Sequence, residues 1–194
     1  MIKDIARTCR SYRRFYQDQR ITPEQLTDWV DTARITASSA NAQPLRYMIF
    51  HTPQDCARLF EHVAWAGALP DWDGPVEGER PSAYIVMLRD ESVSLGEKFT
   101  AWDEGIAAQT IMLAATEAGF GGCMIGSFGK KSVAATCGVD GDDSTLTPDL
   151  VLALGKPKED VRLTGPQPDG SLKYYRNDDA VHFVPKRPLD EVLL

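Results

Sequence analysis

Apolar residues recur at a helical spacing in three stretches of the first third of the chain. Offsets of three, four and seven residues place side chains on one face of an α-helix. These stretches carry their apolar residues at Ile2, Ile5, Ala6 and Cys9, at Leu26, Trp29, Val30 and Ala33, and at Cys56, Leu59, Phe60 and Val63. A longer helix is predicted over residues 99–118. Because its second half is apolar nearly all round, we expect it to be buried on every side, within the domain or against a partner subunit.

Two of these helices also have start signals. Thr22 is a candidate N-cap, Pro23 occupies the first helical position, and Gln25 completes a capping box. Thr52 and Pro53 repeat the combination before the third helix. The sequence therefore predicts helices that begin near residues 23 and 53.

Short apolar runs between turn residues predict strands at residues 47–51, 83–88, 121–126 and 150–154, and a minor helix lies at 130–138. The polar stretch 38–44 and the Gly- and Pro-rich stretch 67–81 are predicted loops, the second long enough to cover a binding site. The tail, 173–194, is predicted to be irregular, with Leu189, Val192 and Leu193 able to dock on another surface. Since helices and strands alternate with uneven connections, the predicted fold class is α+β, with a sheet that can be mixed.

Length and charge narrow the range of functions. A chain of 194 residues, 43% of them hydrophobic, fits one domain spanning residues 1–194. The formal charge of −7 and a pI near 5.0 argue against nucleic-acid binding, although a local basic cluster could still hold a small anion. The amino terminus is charged and no run of about 18 apolar residues occurs, so we expect a cytoplasmic protein without a membrane segment.

Several partial motifs do not predict a site. The four cysteines lie far apart and are expected to be reduced thiols, and the three histidines lack the spacing of a metal site. Met124 stands where a dinucleotide-binding G-x-G-x-x-G would need its last glycine, and residues 126–129 miss the G-x-S-x-G elbow by one position. The carboxylates at 140–143 are out of register for a calcium loop. We therefore predict neither a metal site nor a serine hydrolase.

The stretch CRSYRRF, residues 9–15, is the strongest local basic cluster. By composition alone such a cluster is more often a salt-bridged surface than a ligand site. Ser11 adds a hydroxyl to the guanidinium groups, and these are donors that hold a terminal phosphate. Lys186 and Arg187 form a second basic pair, which is either a phosphate contact or a solvated charge pair. The loop SSANAQP, 38–44, offers amides and hydroxyls that could pair with a heteroaromatic ring or could simply cap a turn.

Taken in order, these segments resemble the FMN-dependent nitroreductase family over almost the whole chain, most closely its short bacterial members. The matching motifs are R-S-x-R-x-F at 10–15, S-S-x-N-x-Q-P at 38–44, AAQTIMLAATEAGFGGCMIG at 107–126, LALGKPKE at 152–159 and VPKRPLDE near the end, with WDGP and GERPSAY at 72–75 and 78–84. The resemblance implies an FMN-binding α+β fold whose central, mostly antiparallel or mixed sheet is flanked by helices, in an intertwined homodimer with two shared active sites.

The resemblance also assigns residues to the flavin. Arg10, Ser11 and Arg13 would hold the phosphate and ribityl chain, with Lys186 and Arg187 closing on the phosphate. The polar loop would reach the flavin from the other subunit, and a glycine-rich strand would lie along the isoalloxazine ring. The loop and strand residues are Ser38, Ser39, Asn41, Gln43, Ile125 and Gly126.

Some positions depart from the family pattern. Cys9 stands where many members of the family have arginine, and Pro188 where some do, so the phosphate contacts are redistributed. Trp65, Trp72 and Arg80 are candidates for flavin or substrate contacts, or for packing within the 65–82 loop.

The implied chemistry is the reduction of FMN by NADH or NADPH and transfer of the electrons to a nitroaromatic, quinone or other electron-poor acceptor in a ping-pong cycle. The flavin carries this chemistry, which fits the absence of an acid–base pair in the sequence. Two alternatives stay open: an FMN carrier or sensor without nicotinamide turnover, and a specialised flavin reaction on the same fold.

Overall fold

The computed structural model of the chain describes residues 1–67, 69 and 72–194. Its helices are α1 (Ile2–Thr8), α2 (Pro23–Arg34), α3 (Pro53–Phe60), α4 (Glu97–Glu117), α5 (Lys130–Cys137) and α6 (Leu189–Val192), with a 3₁₀ turn at Ser39–Asn41. Its strands are β1 (Phe15–Tyr16), β2 (Leu45–Phe50), β3 (Ala83–Asp90), β4 (Gly121–Ile125), β5 (Leu146–Pro157), β6 (Val161–Thr164), β7 (Tyr175–Arg176) and β8 (His182–Pro185).

The main sheet is antiparallel and is organised around β5. One edge of β5 pairs with β3, which pairs in turn with β2. Strand β5 also pairs with β4 over Val151 to Gly155 and with β1 at Lys156 and Pro157. Because β5 is twelve residues long, it can pair with three strands, β1, β3 and the glycine-rich β4.

Helices cover both faces of this sheet, which explains the unbroken apolar sequence of β3. Ile85 and Met87 pack with residues of α2 and α4, whereas Tyr84, Val86 and Leu88 pack with residues of α3 and α5 on the opposite face. Alternate side chains of a strand point to opposite faces, so a strand buried on both sides must be apolar throughout. The α+β prediction is confirmed.

The predicted helix starts are also confirmed. Thr22 accepts a hydrogen bond from the backbone N–H of Gln25, and the Gln25 side chain accepts one from the backbone N–H of Thr22, at 3.2 and 3.0 Å. The Thr52 hydroxyl likewise accepts from the backbone N–H of Asp55. The third helix, however, ends at Phe60. The prediction that Val63 belongs to its buried face was wrong, because that residue forms a β-bridge after the helix has ended.

The prediction of an irregular tail was wrong as well. Strand β8 lies in the middle of a small sheet, parallel to β6 and antiparallel to β7. Strands this short are stabilised mainly by pairing with neighbouring strands. The parallel partner of β8 is β6, which lies outside the tail, so the tail sequence alone did not indicate the pairing. Stacking of Tyr175 on Phe183, with ring centroids 5.2 Å apart, adds to the contact between β7 and β8.

Three further points complete the fold. All four cysteines are free and buried, as predicted for reduced thiols. In the part of the chain that the structure describes, no helix combines the length and apolar character needed to cross a membrane. The predicted long loop at 67–81 includes positions 68, 70 and 71, which lie outside the described residues.

Candidate functional site

The arginine segment that follows α1 runs beside β4. Ser11 forms a parallel bridge with Gly122, and the backbone N–H of Tyr12 donates to the Gly122 carbonyl at 2.9 Å. This approach requires glycine, since a Cβ added at Gly121 would lie 2.6 Å from the Tyr12 ring. The glycines therefore allow the segment that carries Arg10 and Arg13 to lie directly beside β4.

Four of the predicted phosphate residues meet in one cavity of about 280 Å³, which we term the basic cavity. Its lining comes from the arginine segment after α1, from α4 and β4, and from the carboxyl-terminal sheet and its flanking residues. The lining residues are Cys9, Arg10, Ser11, Arg13, Gln109, Met112, Met124, Tyr174, His182, Val184 and Lys186. Arg187 is not among them, because it projects at the surface and its guanidinium pairs with Glu191 at 3.2 Å.

Arg13 is the most unusual charge in this cavity. It is only 8% exposed, and its guanidinium donates to the Ser11 carbonyl at 3.3 Å and lies 5.0 Å from the centre of the Tyr174 ring. It forms no salt bridge with any residue that the structure describes; the nearby Glu159 carboxylate accepts instead from the Arg13 backbone N–H and from the Arg176 side chain. A buried cation without a carboxylate partner is costly unless an anion is supplied from outside.

Arg10 supports the same interpretation. One of its terminal nitrogens donates to the Ala6 carbonyl at 2.6 Å, while its Nε is buried without a partner among the described residues. Together with Lys186, the two arginines give the cavity three positive charges. The geometry therefore suits a phosphate or another compact anion.

A second cavity, of about 210 Å³, adjoins the basic cavity and shares Arg13, Met124 and Tyr174 with it. We term it the strand cavity, because β4 and the residues after it form one wall. Both predicted ring-contact residues, Ile125 and Gly126, line it. The remaining lining residues are Ala64, Trp65, Ala66, Gly67, Cys123 and Ser127.

The three candidates of the 65–82 loop have different surroundings. Trp65 lines the strand cavity, and its indole N–H is buried without a partner among the described residues. Trp72 instead packs under the Arg176 guanidinium, 4.4 Å from the ring centre. Arg80 lies over the Phe60 ring and pairs with a neighbouring glutamate. Trp72 and Arg80 therefore contact other side chains of the same protomer, whereas Trp65 lines the strand cavity.

The polar loop at 38–43 lies elsewhere in the protomer. Ser38 and Gln43 line a third cavity of about 350 Å³, the loop cavity, which shares no lining residue with the other two. Both predicted serines donate to the buried Asp103 carboxylate, Ser38 at 2.8 Å and Ser39 at 2.9 Å from its hydroxyl. Their hydroxyl protons are thus already used, and the Gln43 side-chain amide donates to Asn41 Oδ1 at 3.2 Å, which leaves the Asn41 amide nitrogen as the freer donor.

The backbone of this loop is held in an uncommon conformation. Ala40, Asn41 and Gln43 have φ values of 48°, 55° and 50°, in the left-handed region that non-glycine residues seldom adopt. Such conformations cost free energy and persist where other contacts enforce them, here the hydrogen bonds to Asp103. The loop therefore presents a fixed polar surface.

Sequence reasoning missed several lining residues of the basic cavity, including Tyr174 and His182. A signal for part of them was present: His182, Val184 and Lys186 alternate along the sequence, as residues on one face of a strand do. The tail lacked a recognisable strand partner, so this alternation was not used.

Comparison with known proteins identifies the family. A curated relative, "Putative NAD(P)H nitroreductase YdgI" of Bacillus subtilis strain 168, is 22% identical over 187 residues, covering 81% of this chain and 88% of the relative. A solved structure of a "putative nitroreductase in complex with FMN" from Desulfovibrio desulfuricans has 22% identity and a TM-score of 0.68, covering 100% of this chain and 95% of that one. A nitroreductase family protein from Streptococcus pneumoniae TIGR4 has 16% identity and a TM-score of 0.69, covering 91% and 100%.

These likenesses confirm the predicted nitroreductase-like fold. The family model for the Nitroreductase family matches residues 6–156, from the end of α1 to the end of β5, and so includes the arginine segment, the polar loop and the glycine-rich strand. The resemblance inferred from the motifs is therefore confirmed. Because this match takes in well over half of the chain, the protein belongs to the nitroreductase family.

Proposed function

We propose that this protein is an FMN-dependent oxidoreductase that takes hydride from NADH or NADPH and reduces an electron-poor small molecule such as a nitroaromatic or a quinone. The observation that carries the proposal is the buried Arg13 guanidinium, which lacks a carboxylate partner among the described residues and faces a cavity with two further cations. The names of relatives add support, since the Desulfovibrio structure is a complex with FMN and the Bacillus relative is named for NAD(P)H.

The two adjoining cavities fit the two ends of FMN. Arg10, Ser11, Arg13 and Lys186 would hold the phosphate and ribityl chain in the basic cavity through charged hydrogen bonds. The flavin ring would lie in the strand cavity along Ile125 and Gly126, with Trp65 on another wall. Gly126 leaves open space where a side chain would stand, so the backbone can approach a flat ring closely.

When bound, FMN supplies the redox chemistry, accepting hydride from the nicotinamide and passing electrons to the acceptor in a ping-pong cycle. The residues of this chain bind the cofactor, orient its ring and exclude water from one side of it. Backbone N–H groups and the amides of Asn41 and Gln43 would act as fixed dipoles at the polar edge of the ring. No acid–base residue is needed for these tasks.

A homodimer with shared sites reconciles the distant polar loop with this arrangement. Within one protomer the loop cavity has no lining residue in common with the strand cavity, so Ser38, Ser39, Asn41 and Gln43 would serve the flavin of a second copy. Helix α4 supports this, because Phe99, Trp102 and Ile106 form an exposed apolar stripe on it, 40%, 52% and 42% exposed. A stripe of this kind is typical of a face that a partner covers.

The first experiment is an absorbance spectrum of the purified protein, followed by anaerobic addition of NADH and then NADPH. A reductase should show flavin bands at about 370 and 450 nm that bleach with one or both nicotinamides. Bound flavin that does not bleach would contradict the reductase and support a carrier, a sensor or a specialised flavin reaction. Failure to bind FMN after reconstitution would overturn the proposal altogether.

The quaternary arrangement has its own test. Size-exclusion chromatography with light scattering should find the flavin in a dimer. A monomer that retains FMN with full affinity would contradict the shared site.

A further inference from the structure

His182 lies in the basic cavity with a buried and unsatisfied imidazole. The residue is 1% exposed, and its Nδ1 is fully covered without a hydrogen-bond partner among the described residues. Buried polar atoms are nearly always paired, because an unpaired one loses its hydrogen bonds to water and gains nothing in return. An unpaired imidazole in a binding cavity is therefore a feature that folding alone does not explain.

The backbone holds this side chain firmly in place. His182 begins β8, the middle strand of the carboxyl-terminal sheet, and it pairs with Val161 on one side and Arg176 on the other. Its backbone N–H also donates to the Asp160 carbonyl at 2.8 Å. Because the strand is held on both edges, the Cα–Cβ bond of His182 keeps its direction, and only rotation about the side-chain torsions can present the ring nitrogens to a ligand.

Strand alternation gives the imidazole a direction. His182, Val184 and Lys186 are alternate residues, and all three line the basic cavity. The Tyr174 ring, whose centroid lies 5.1 Å from that of His182, is also the ring over which the Arg13 guanidinium lies. His182 thus lines the basic cavity on the side of the Tyr174 ring, which it shares as a neighbour with Arg13.

The buried surroundings of His182 favour the neutral form of its ring. Burial lowers its pKa, the positive charges of Arg13 and Arg176 lower it further, and only Glu159 acts in the opposite direction. Cys9, Arg10, Tyr174 and Lys186 are the other titratable groups that line this cavity. A neutral imidazole has one N–H donor and one acceptor nitrogen, which suits hydroxyl and phosphate oxygens equally.

We propose that His182 is a cofactor-contacting residue that hydrogen-bonds the phosphoribityl chain of FMN. This inference rests on the proposed function and adds to it a residue outside the arginine, serine and lysine set that the family motifs indicate. The ligand completes a hydrogen bond that the apoprotein lacks. Binding and stability therefore make opposite demands on this position.

Three substitutions test the contact. His182→Leu removes both ring nitrogens, His182→Asn places an amide nitrogen near Nδ1, and His182→Gln places one near Nε2. Dissociation constants are measured by flavin fluorescence for FMN and for lumiflavin, which has a methyl group in place of the phosphoribityl chain. Thermal unfolding of each apoprotein is measured alongside.

His182→Leu is expected to weaken FMN binding about tenfold, the scale of one hydrogen bond, while lumiflavin binding stays within about twofold. One of the two amide variants should recover most of the FMN affinity. The apoprotein of His182→Leu should unfold at the wild-type temperature or above, because an unsatisfied polar group has been replaced by an apolar one. Phe183→Leu is the matched control: it weakens the stacking on Tyr175 and should lower stability but not FMN affinity.

Two results would overturn the inference while leaving the proposed function intact. The first is wild-type FMN affinity in a folded His182→Leu variant. The second is a loss of affinity that is equal for FMN and lumiflavin, which would mean that the imidazole only supports packing. Wild-type protein that binds no FMN would overturn both proposals, so the two failures are distinguishable.

Discussion

Arg13 and Arg14 are neighbours in the sequence, yet their guanidinium groups have opposite electrostatic surroundings. Arg14 forms a two-point pair with Glu79, and Lys158 binds the same carboxylate at 3.0 Å. These contacts hold the pKa of Glu79 at about 2. Arg13 is buried but lacks a carboxylate partner among the described residues. The first arrangement is complete without a ligand, and the second is completed only by an anion.

The glycines of the site differ in the same way. A Cβ added at Gly122 would lie 2.3 Å from the Ala153 carbonyl oxygen, so this glycine serves the packing of β4 on β5. A Cβ added at Gly126 would meet nothing within 4 Å. At Arg13 and Arg14, and at Gly122 and Gly126, the group satisfied or packed within the chain supports the fold, whereas the group left unsatisfied or uncovered lines a candidate cavity.

The largest expected effect separates the two arginines. Arg13→Ala should weaken FMN binding by about 1.5–3 kcal/mol, or about 10- to 150-fold, because it removes a charged hydrogen bond to the phosphate. Arg14→Ala should leave FMN affinity within about twofold and instead lower stability. Isothermal titration with FMN and urea unfolding of the apoproteins measure the two quantities. Unchanged FMN affinity in a folded Arg13→Ala variant would remove Arg13 from the site.

The glycine comparison predicts a somewhat smaller effect. Gly122→Ala should destabilise the apoprotein by about 2 kcal/mol, since a methyl group would overlap backbone atoms that cannot move freely. Gly126→Ala should leave the apoprotein unchanged and weaken FMN binding by about 1 kcal/mol, because the added methyl group occupies space next to the ring. Urea unfolding and FMN titration of both variants check this pattern. If Gly126→Ala lowered stability and Gly122→Ala lowered only FMN affinity, the proposed position of the flavin ring along β4 would be wrong.

Acid titration tests the ion pairs that Glu79 forms with Arg14 and Lys158. The pKa of Glu79 in the folded protein, about 2, lies below its ordinary value of 4.5. Its ion pairs therefore stabilise the fold fully above pH 4.5, and this contribution is lost as the pH falls toward 2. Glu79→Gln should cost about 1.5 kcal/mol at pH 7. The difference from wild type should shrink below pH 4.5, as urea unfolding at pH 7 and pH 3 would measure; a constant difference would mean that the carboxylate charge is not the cause.

The smallest effect concerns the basic pair near the carboxyl terminus. Arg187→Ala should change FMN affinity by less than about 0.5 kcal/mol, because that guanidinium is exposed and already paired with Glu191. Lys186→Ala should weaken FMN binding measurably, because Lys186 lines the basic cavity. FMN titrations of the two variants under identical salt conditions test the difference. Equal losses of FMN affinity in the two variants would indicate that Arg187 also contacts the phosphate.

The predicted site residues fall into two groups, those that line the two adjoining cavities and those of the polar loop. The motif at 10–13 led to residues that share one cavity, and the residues at 125 and 126 line the cavity beside it. Their role toward FMN stays a prediction. The family resemblance implied that the polar loop acts on the flavin of the other subunit, but the cavity that the loop lines in its own protomer, and the hydrogen bonds of its serines to Asp103, could not be predicted from the sequence. These depend on where α4 crosses the loop.

The sequence by itself determined the local elements and the family. Capping at Thr22 and Thr52 and the apolar run of β3 depend on residues close together in the chain, so short-range physics decides them. Tertiary structure alone decided which charges are satisfied: Glu79, which pairs with Arg14, lies 65 residues away, and Glu159, which binds the Arg13 backbone, lies 146 residues away. It also placed His182 in the cavity, because β8 becomes a strand only when β6 and β7 pair with it. Burial and partnership are properties of long-range contacts, and neither can be seen in the local pattern of a sequence.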